Sequence, residues 1–426
     1  MNVQVGSAGF LTSIQDQGRP GHRRSGISSG GALDGFALRV ANGLVGNDDY
    51  AAGLELTLGK VRLRFEDERM VAWCGGAFSA RIGNEKLPAG RCGFVGEDQE
   101  LMIVPPEEGG RAWLAISGGL DVPLVLGSRS TDLRGGFGGC EGRALRDGDI
   151  LPLKERRFEI ADKRRFQTAA PWGAPATWAA SDNRNPVLRI VRGTNWDRFA
   201  EGAHRSLLGD AFNVMSDSDR MGARLDGAPL ERVDSGDLVS EAVTPGTLQV
   251  PPSGKPILLL GDCQTIGGYP KIAHVITVDL PMAAQLWAGD SVRFHQVSLA
   301  EAQKLLRERE EDFARFRVGL SLHNSSTWSS FSIPIWAKAR DTTKRFWIWS
   351  APRTSPAAFM RAIRRPFSLR SRRPWPEASP LARIPALPIG KISAGRRSQF
   401  LRRKFIPWSR TRSERSTPWP GRPVAT

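Results

Sequence analysis

The chain has 426 residues, 40% hydrophobic and 24% charged, the composition of a soluble globular protein with room for two domains. Its net charge of +16 is uneven: from residue 311 on there are 24 Lys+Arg against 5 Asp+Glu, so the first three-quarters is near neutral. Four dispersed cysteines without a CxxC pair argue against a disulfide scaffold, and the opening MNVQVGSAGFLTSIQDQ is no secretory signal; with no apolar run long enough for a membrane span, the expectation is a reduced, cytoplasmic setting.

The first half, residues 1–154, reads as β-rich. A helix is expected over 33–47, where Asp34 caps the start. Ala37, Leu38, Ala41, Leu44 and Val45 form its apolar stripe, and Gly46 ends it. KVRLRF (60–65) alternates apolar and charged residues, the pattern of a strand with one wet face. AFSARI (77–82) runs into a Gly83-Asn84 turn, which predicts a hairpin. ELMIV (100–104) and RAWLAISGG (111–119) read as further strands, and short strands with frequent turns point to a barrel or sandwich.

Residues 155–186 are polar and Pro/Ala-rich and are expected to link two halves. VLRIVRG (187–193) opens a second β-rich half, 187–312. It contains a short helix over 281–290 with Pro281 in its first turn, and a strand over 291–297. A closing helix over 298–312 carries the capping box Ser298–Glu301. Residues 313–426 are rich in Arg, Pro, Ser and Trp and show no period of 2 or 3.6. Three readings of this basic tail stay open: a disordered extension, the product of a shifted reading frame, and an Arg/Trp surface for a polyanion.

Common catalytic signatures fail on their context. GISSG (26–30) fits G-x-S-x-G, but its approach, GRPGHRRS, is polar and contains proline. A nucleophile elbow leaves an apolar strand, so Ser28 reads as part of a glycine-serine turn. GLELTLGKV (53–61) has Val61 where a P-loop needs Ser or Thr, and GGFGGCEG (135–142) has Glu141 where a dinucleotide turn needs glycine. The five histidines have no metal-ligand spacing, so no metal is expected, and no Met-Lys-Met biotin-attachment tripeptide occurs.

Several runs are dense in glycine and polar residues instead: TSIQDQGRPG, GALDGFALRVANGLVGN, LELTLG, GSRSTDLRGGFGGCEGRALRDGD, RMGARLDG, VPPSGKPILLLGDCQTIGGYPKIAHV and DLPMAAQLWAGDSVRF. In this order, over roughly residues 3 to 310, they resemble the KipA-like family, also known as allophanate hydrolase subunit 2 or the 5-oxoprolinase C subunit. That family is related to the carboxyltransferase module of urea carboxylase. The resemblance implies a mainly β fold with few helices, a cyclophilin-like β-barrel architecture in two halves. It implies a cytoplasmic subunit of an ATP-dependent 5-oxoprolinase, opening 5-oxoproline to glutamate. Its implied partners are a KipI-like protein, the B-type component, and an amidohydrolase-like A-type component, with ATP shared among them; neither nucleic acid nor membrane is an expected partner. Two alternatives are a carboxyltransferase module of a urea carboxylase or urea amidolyase system, and a non-catalytic regulator of a KipI-like protein.

The residues allow a chemical reading of their own. Opening a lactam through ATP requires positive donors around an oxygen that gains charge. Arg129 and Arg134 are suited to a carboxylate or phosphate, with Asp132 beside them to orient an arginine. In GDCQTIGGYPKI (261–272), Gly267 and Gly268 permit close backbone approach, and Gln264, Tyr269 and Lys271 supply donors. Asp262 is either a general base or a turn cap. The alternative for this run is a structural turn. For Arg129 and Asp132 it is an ion pair tying down a glycine-rich loop, and for Asp16 and Arg19 it is a salt-bridged turn. These groups are expected to line one pocket that a second polypeptide completes.

Overall fold

The computed structural model of the chain describes residues 1–107, 110–155, 169–181, 184–234, 236 and 238–324. The fold is mainly β with few helices. The first half stacks two sheets. One has the strand order Ile150–Pro152, Asn2–Ala8, Val61–Phe65, Glu100–Val104, Ser79–Ile82, Glu85–Leu87. In the other, Ala169–Gly173, Arg91–Val95, Arg69–Gly76, Arg111–Ile116, Gly53–Thr57 and Leu11–Gln15 follow in order, with Ala180–Ser181 paired parallel to Arg69–Gly76. Val3, Val5, Leu63 and Phe65 of the first sheet pack against Leu54, Leu56, Val71 and Leu114 of the second.

Sequence pattern distinguishes the two sheets. Val61–Phe65 alternates buried and exposed, as its alternating sequence predicts, because one face meets water. In Arg111–Ile116 every residue is buried, since the second sheet is covered on both faces. Helix α1 (Gly35–Leu44) lies on its outer face, with Leu38, Ala41 and Leu44 packed against Ala72, Cys74, Trp113 and Ala115. Asp34 caps α1 as expected, its carboxylate accepting the Ala37 N–H at 2.8 Å.

The second half is a closed barrel of seven strands: Val187–Arg192, Lys271–Val275, Thr247–Gln249, Ile257–Leu259, Gly222–Asp226, Phe212–Val214 and Ser291–Gln296. Ser291–Gln296 closes it by running parallel to Val187–Arg192, with Leu188 opposite Phe294. A two-stranded ribbon, Glu241–Ala242 with Ile266–Gly267, stands beside it.

Three expected boundaries move. Part of the expected linker joins the first half. Ala169–Gly173 pairs with Arg91–Val95, α2 (Ala176–Ala179) follows, and Ala170, Trp172 and Trp178 pack into the cluster around α1. The composition reads as linker because a short bulged strand carries no period. Next, α3 (Glu201–Gly209) covers the barrel through Ala203 and Leu207, while the helix expected over 281–290 shortens to α4 (Leu280–Ala283). Finally, α5 (Leu299–Asn324) begins as expected, with Ser298 Oγ accepting the Glu301 N–H at 3.1 Å, but continues well past 312. Phe313, Phe316 and Leu320 carry it on by packing against Phe36, Trp178 and the α1 face. The rest of the expected tail lies outside the described residues. Among the described residues no helix is long and apolar enough to cross a membrane.

Candidate functional site at the seam between sandwich and barrel

Asp16 follows the strand Leu11–Gln15 and organises the loop after residue 127. Its Oδ1 accepts the Gly18 N–H at 2.8 Å and the hydroxyls of Ser128 and Ser130, each at 2.6 Å. Its Oδ2 accepts the Arg129 N–H at 2.6 Å. Both oxygens are thereby committed to serines and backbone rather than to an ion pair with Arg19. The Arg129 guanidinium turns away and donates from Nε to the Val122 carbonyl at 3.0 Å. Asp132 Oδ1 accepts the Gly135 N–H at 2.7 Å, and its Oδ2 lies 3.5 Å from Ser28 Oγ. Arg134 is exposed and reaches Met221 of the barrel half, 3.5 Å from its sulfur.

Arg19 is fully buried. Its Nη2 donates to the Ser130 carbonyl, and the guanidinium lies 4.8 Å from the Phe137 ring centroid. Its backbone N–H is tied to the Ser29 carbonyl at 2.8 Å, so residues 18–19 and 29–31 run against each other. Burial lowers the guanidinium's affinity for its proton, and Asp132, Asp16 and Asp262 oppose that.

Across the seam, Asp262 is held by Arg220, which donates from Nε to Oδ2 at 2.8 Å and from Nη2 to Oδ1 at 3.1 Å. Arg220 also crosses into the sandwich, donating to the Gly31 carbonyl at 2.8 Å and to Glu55 Oε1. Glu55 accepts in addition the Leu33 N–H at 2.8 Å and Trp113 Nε1 at 2.9 Å. Burial would strip the proton from Arg220, but the two carboxylates outweigh it and hold the guanidinium above its ordinary pKa. Asp262 shifts upward because burial outweighs the pull of Arg220. Arg23 makes a second crossing, from Nη2 to the Val243 carbonyl, with the Gln264 carbonyl at 3.4 Å.

The rest of the 261–272 run divides. Gln264 donates to Gln249 Oε1 at 3.1 Å. A Cβ on Gly267 would lie 2.7 Å from Gln249 Nε2 and would displace that amide; at Gly268 the nearest atom would be the Leu238 carbonyl oxygen at 3.3 Å. Tyr269 is half-exposed, and its carbonyl accepts from Gln249 Nε2 at 3.1 Å. Lys271 is paired with Glu241 of the ribbon, and its N–H donates to Asn195 Oδ1 at 2.9 Å. The residues that meet are therefore Arg19, Asp132 and Asp262, around Ser28 and Gly30. The Arg129 and Lys271 side chains face other neighbours.

Sequence reasoning missed Glu55, Arg220 and Arg23. Glu55 did leave a signal: it is a carboxylate inside the apolar run LELTL, and such a residue needs a buried partner. Arg220 left none, because its partners lie on other elements, Glu55 and Gly31 of them in the other half.

The chain belongs to the family described as carboxyltransferase domain, subdomain A and B, which it matches over residues 25–296. It is 39% identical over 324 residues to the 5-oxoprolinase C subunit of Escherichia coli (strain K12), covering 76% of this chain and 100% of that one. The 5-oxoprolinase C subunit of Haemophilus influenzae is 36% identical over 301 residues, 70% of this chain and 92% of the relative. The crystal structure of the K. lactis urea amidolyase superposes with a TM-score of 0.68 at 28% identity, covering 74% of this chain. This chain spans 20% of that longer protein.

Proposed function

We propose that this chain is a subunit of an ATP-dependent 5-oxoprolinase, working in the cytoplasm with a KipI-like partner and an amidohydrolase-like partner. The observation that carries the reading is the match to two 5-oxoprolinase C subunits over 100% and 92% of their lengths. The chemistry is compatible. A lactam carbonyl is a poor electrophile, and transfer of the ATP γ-phosphoryl group to its oxygen makes the ring carbon open to water. Donors fixed in a dry seam stabilise charge developing on such an oxygen. ATP is shared with the partners, and no single residue of this chain is assigned to it. Mixing this chain with both partners, ATP and 5-oxoproline is expected to release glutamate and phosphate. Equal release without this chain overturns the reading.

The likeness to urea amidolyase supports a second reading, a carboxyltransferase that passes CO₂ from carboxybiotin to an amide nitrogen. Biotin would then arrive on another chain, since this one has no Met-Lys-Met. Urea-dependent discharge of a carboxylated biotin carrier, with no glutamate from 5-oxoproline, would select it.

A further inference from the structure

A lactam that bears a carboxylate and a nucleotide that bears phosphates both bring negative charge, and most cations at the seam are already held by the protein. Arg220 is shared by Glu55, Asp262 and the Gly31 carbonyl. Arg19 is buried against the Ser130 carbonyl. Arg23 turns to the Val243 carbonyl, Arg129 to that of Val122, and Lys271 to Glu241. Arg24 is exposed, but no hydrogen bond or ion pair among the described residues fixes it.

Arg134 differs from all of these. It stands on a tight turn between Asp132 and Phe137. Asp132 pins that turn from within: its carbonyl accepts the Gly136 N–H at 2.8 Å and its Oδ1 the Gly135 N–H at 2.7 Å. The preceding Thr131 N–H is tied to the Ile14 carbonyl at 2.8 Å. The backbone under Arg134 is thus fixed while its side chain is exposed. A Cβ on Gly136, whose φ is +69°, would meet no heavy atom of the described residues within 4 Å, so the space over the turn is open. The guanidinium reaches across the seam to Met221, whose sulfur, 3.5 Å from Nη1, is a weak acceptor. No oxygen of the described residues accepts from it. Met221 adjoins Arg220, and the Asp262 N–H donates to the Arg220 carbonyl at 3.1 Å, so the unused donors lie beside the residues that meet at the seam.

We propose that Arg134 is the anion-binding residue at the rim of the seam. Its planar fork takes an oxyanion, the carboxylate of the lactam substrate or a phosphate of ATP, by two parallel hydrogen bonds. This rests on, and sharpens, the 5-oxoprolinase reading. Arg19, Arg23, Arg134 and Arg220 offset the four seam carboxylates, so an anion at the rim meets no net repulsion. In open water such a pair is weak; a partner that covers the seam excludes water and strengthens it, so tight binding belongs to the assembly.

The test uses the complete assembly of this chain with both partners. Arg134→Gln removes the charge, and Arg134→Lys keeps the charge but removes the fork. Arg134→Gln is expected to raise KM for one of the two substrates at least about tenfold with kcat little changed, and Arg134→Lys to raise it less. A rise for 5-oxoproline alone identifies the carboxylate as the occupant; a rise for ATP alone identifies the phosphate. Both variants are expected to melt with the wild type, since the Met221 contact is weak. A folded Arg134→Gln assembly with both KM values unchanged overturns the proposal. So does a lowered melting temperature with equal changes in both KM values, the mark of a structural role. Labelling of arginine by phenylglyoxal, read at Arg134 by peptide mass spectrometry, does not depend on turnover. In the wild-type assembly 5-oxoproline or ATP is expected to protect Arg134, and 2-pyrrolidinone, which has no carboxylate, is expected not to. Protection in an assembly that releases no glutamate overturns the 5-oxoprolinase reading and keeps the anion site. Glutamate release with neither protection nor a change in KM overturns the site and keeps the reading. Absence of both overturns both.

Discussion

Asp34 caps α1 in complete burial, and the same burial raises its pKa to about 6, opposed by the Ala37 N–H and by Arg309. A carboxyl that holds its proton more tightly when folded favours folding while protonated. That contribution is fully present below the ordinary carboxylate pKa, fades as pH rises through about 6, and is absent above it. Asparagine keeps the cap without the charge. Asp34→Asn is therefore expected to raise unfolding free energy by about 1–3 kcal/mol at about pH 8 and by little at about pH 4, read from urea melts. A gain that is equal at both pH values would contradict this. The Asp34 cap is legible in the sequence because capping is local: a residue, three positions and an apolar stripe. Asp16 stands out as part of a turn, but its serine partners lie more than a hundred residues away and no spacing announces them. Asp262 and Lys271 illustrate the converse. They are close in sequence, yet one faces Arg220 at the seam and the other Glu241 on the ribbon.

At the scale of elements, α5 joins the barrel half to the sandwich. It starts next to the barrel strand Ser291–Gln296 and ends on α1, with Arg39 making a two-pronged ion pair to Glu310 at 2.9 and 2.8 Å. Phe313 is almost fully buried against Phe36, under the Arg39 guanidinium at 4.3 Å from its ring centroid. Removing a buried phenyl ring leaves a cavity, so Phe313→Ala is expected to lower stability by about 3–5 kcal/mol. Val318→Ala on the exposed face of the same helix should change it by less than about 1 kcal/mol. Equal melting temperatures for the two variants would show that α5 does not pack as described. The start of this helix is written in Ser298–Glu301. Its end falls later than composition suggests, because the shift toward arginine begins inside the helix, before its apolar stripe stops.

At the scale of the whole molecule, two β structures with separate cores are fastened by charge. Arg220 reaches Glu55 and Gly31, Arg23 reaches Val243, and Arg111 reaches the Ala284 carbonyl at 2.6 Å while its backbone N–H meets Gln285 at 3.0 Å. Each core could be anticipated from strand alternation and turn spacing. The seam could not, since fastening residues obey no periodicity. Arg19 comes from the sandwich and Asp262 from the barrel, so a site proposed at this pair depends on the seam that holds the two halves together. The most direct measurement is the turnover of 5-oxoproline by the complete assembly carrying Arg220→Lys. Lysine keeps the charge but lacks the fork that holds Glu55, Gly31 and Asp262 at once. A displacement of about 1 Å at a reacting group costs up to about a hundredfold in rate, so kcat/KM is expected to fall about tenfold to a hundredfold while the fold persists. A folded Arg220→Lys assembly with wild-type kcat and KM would contradict the account.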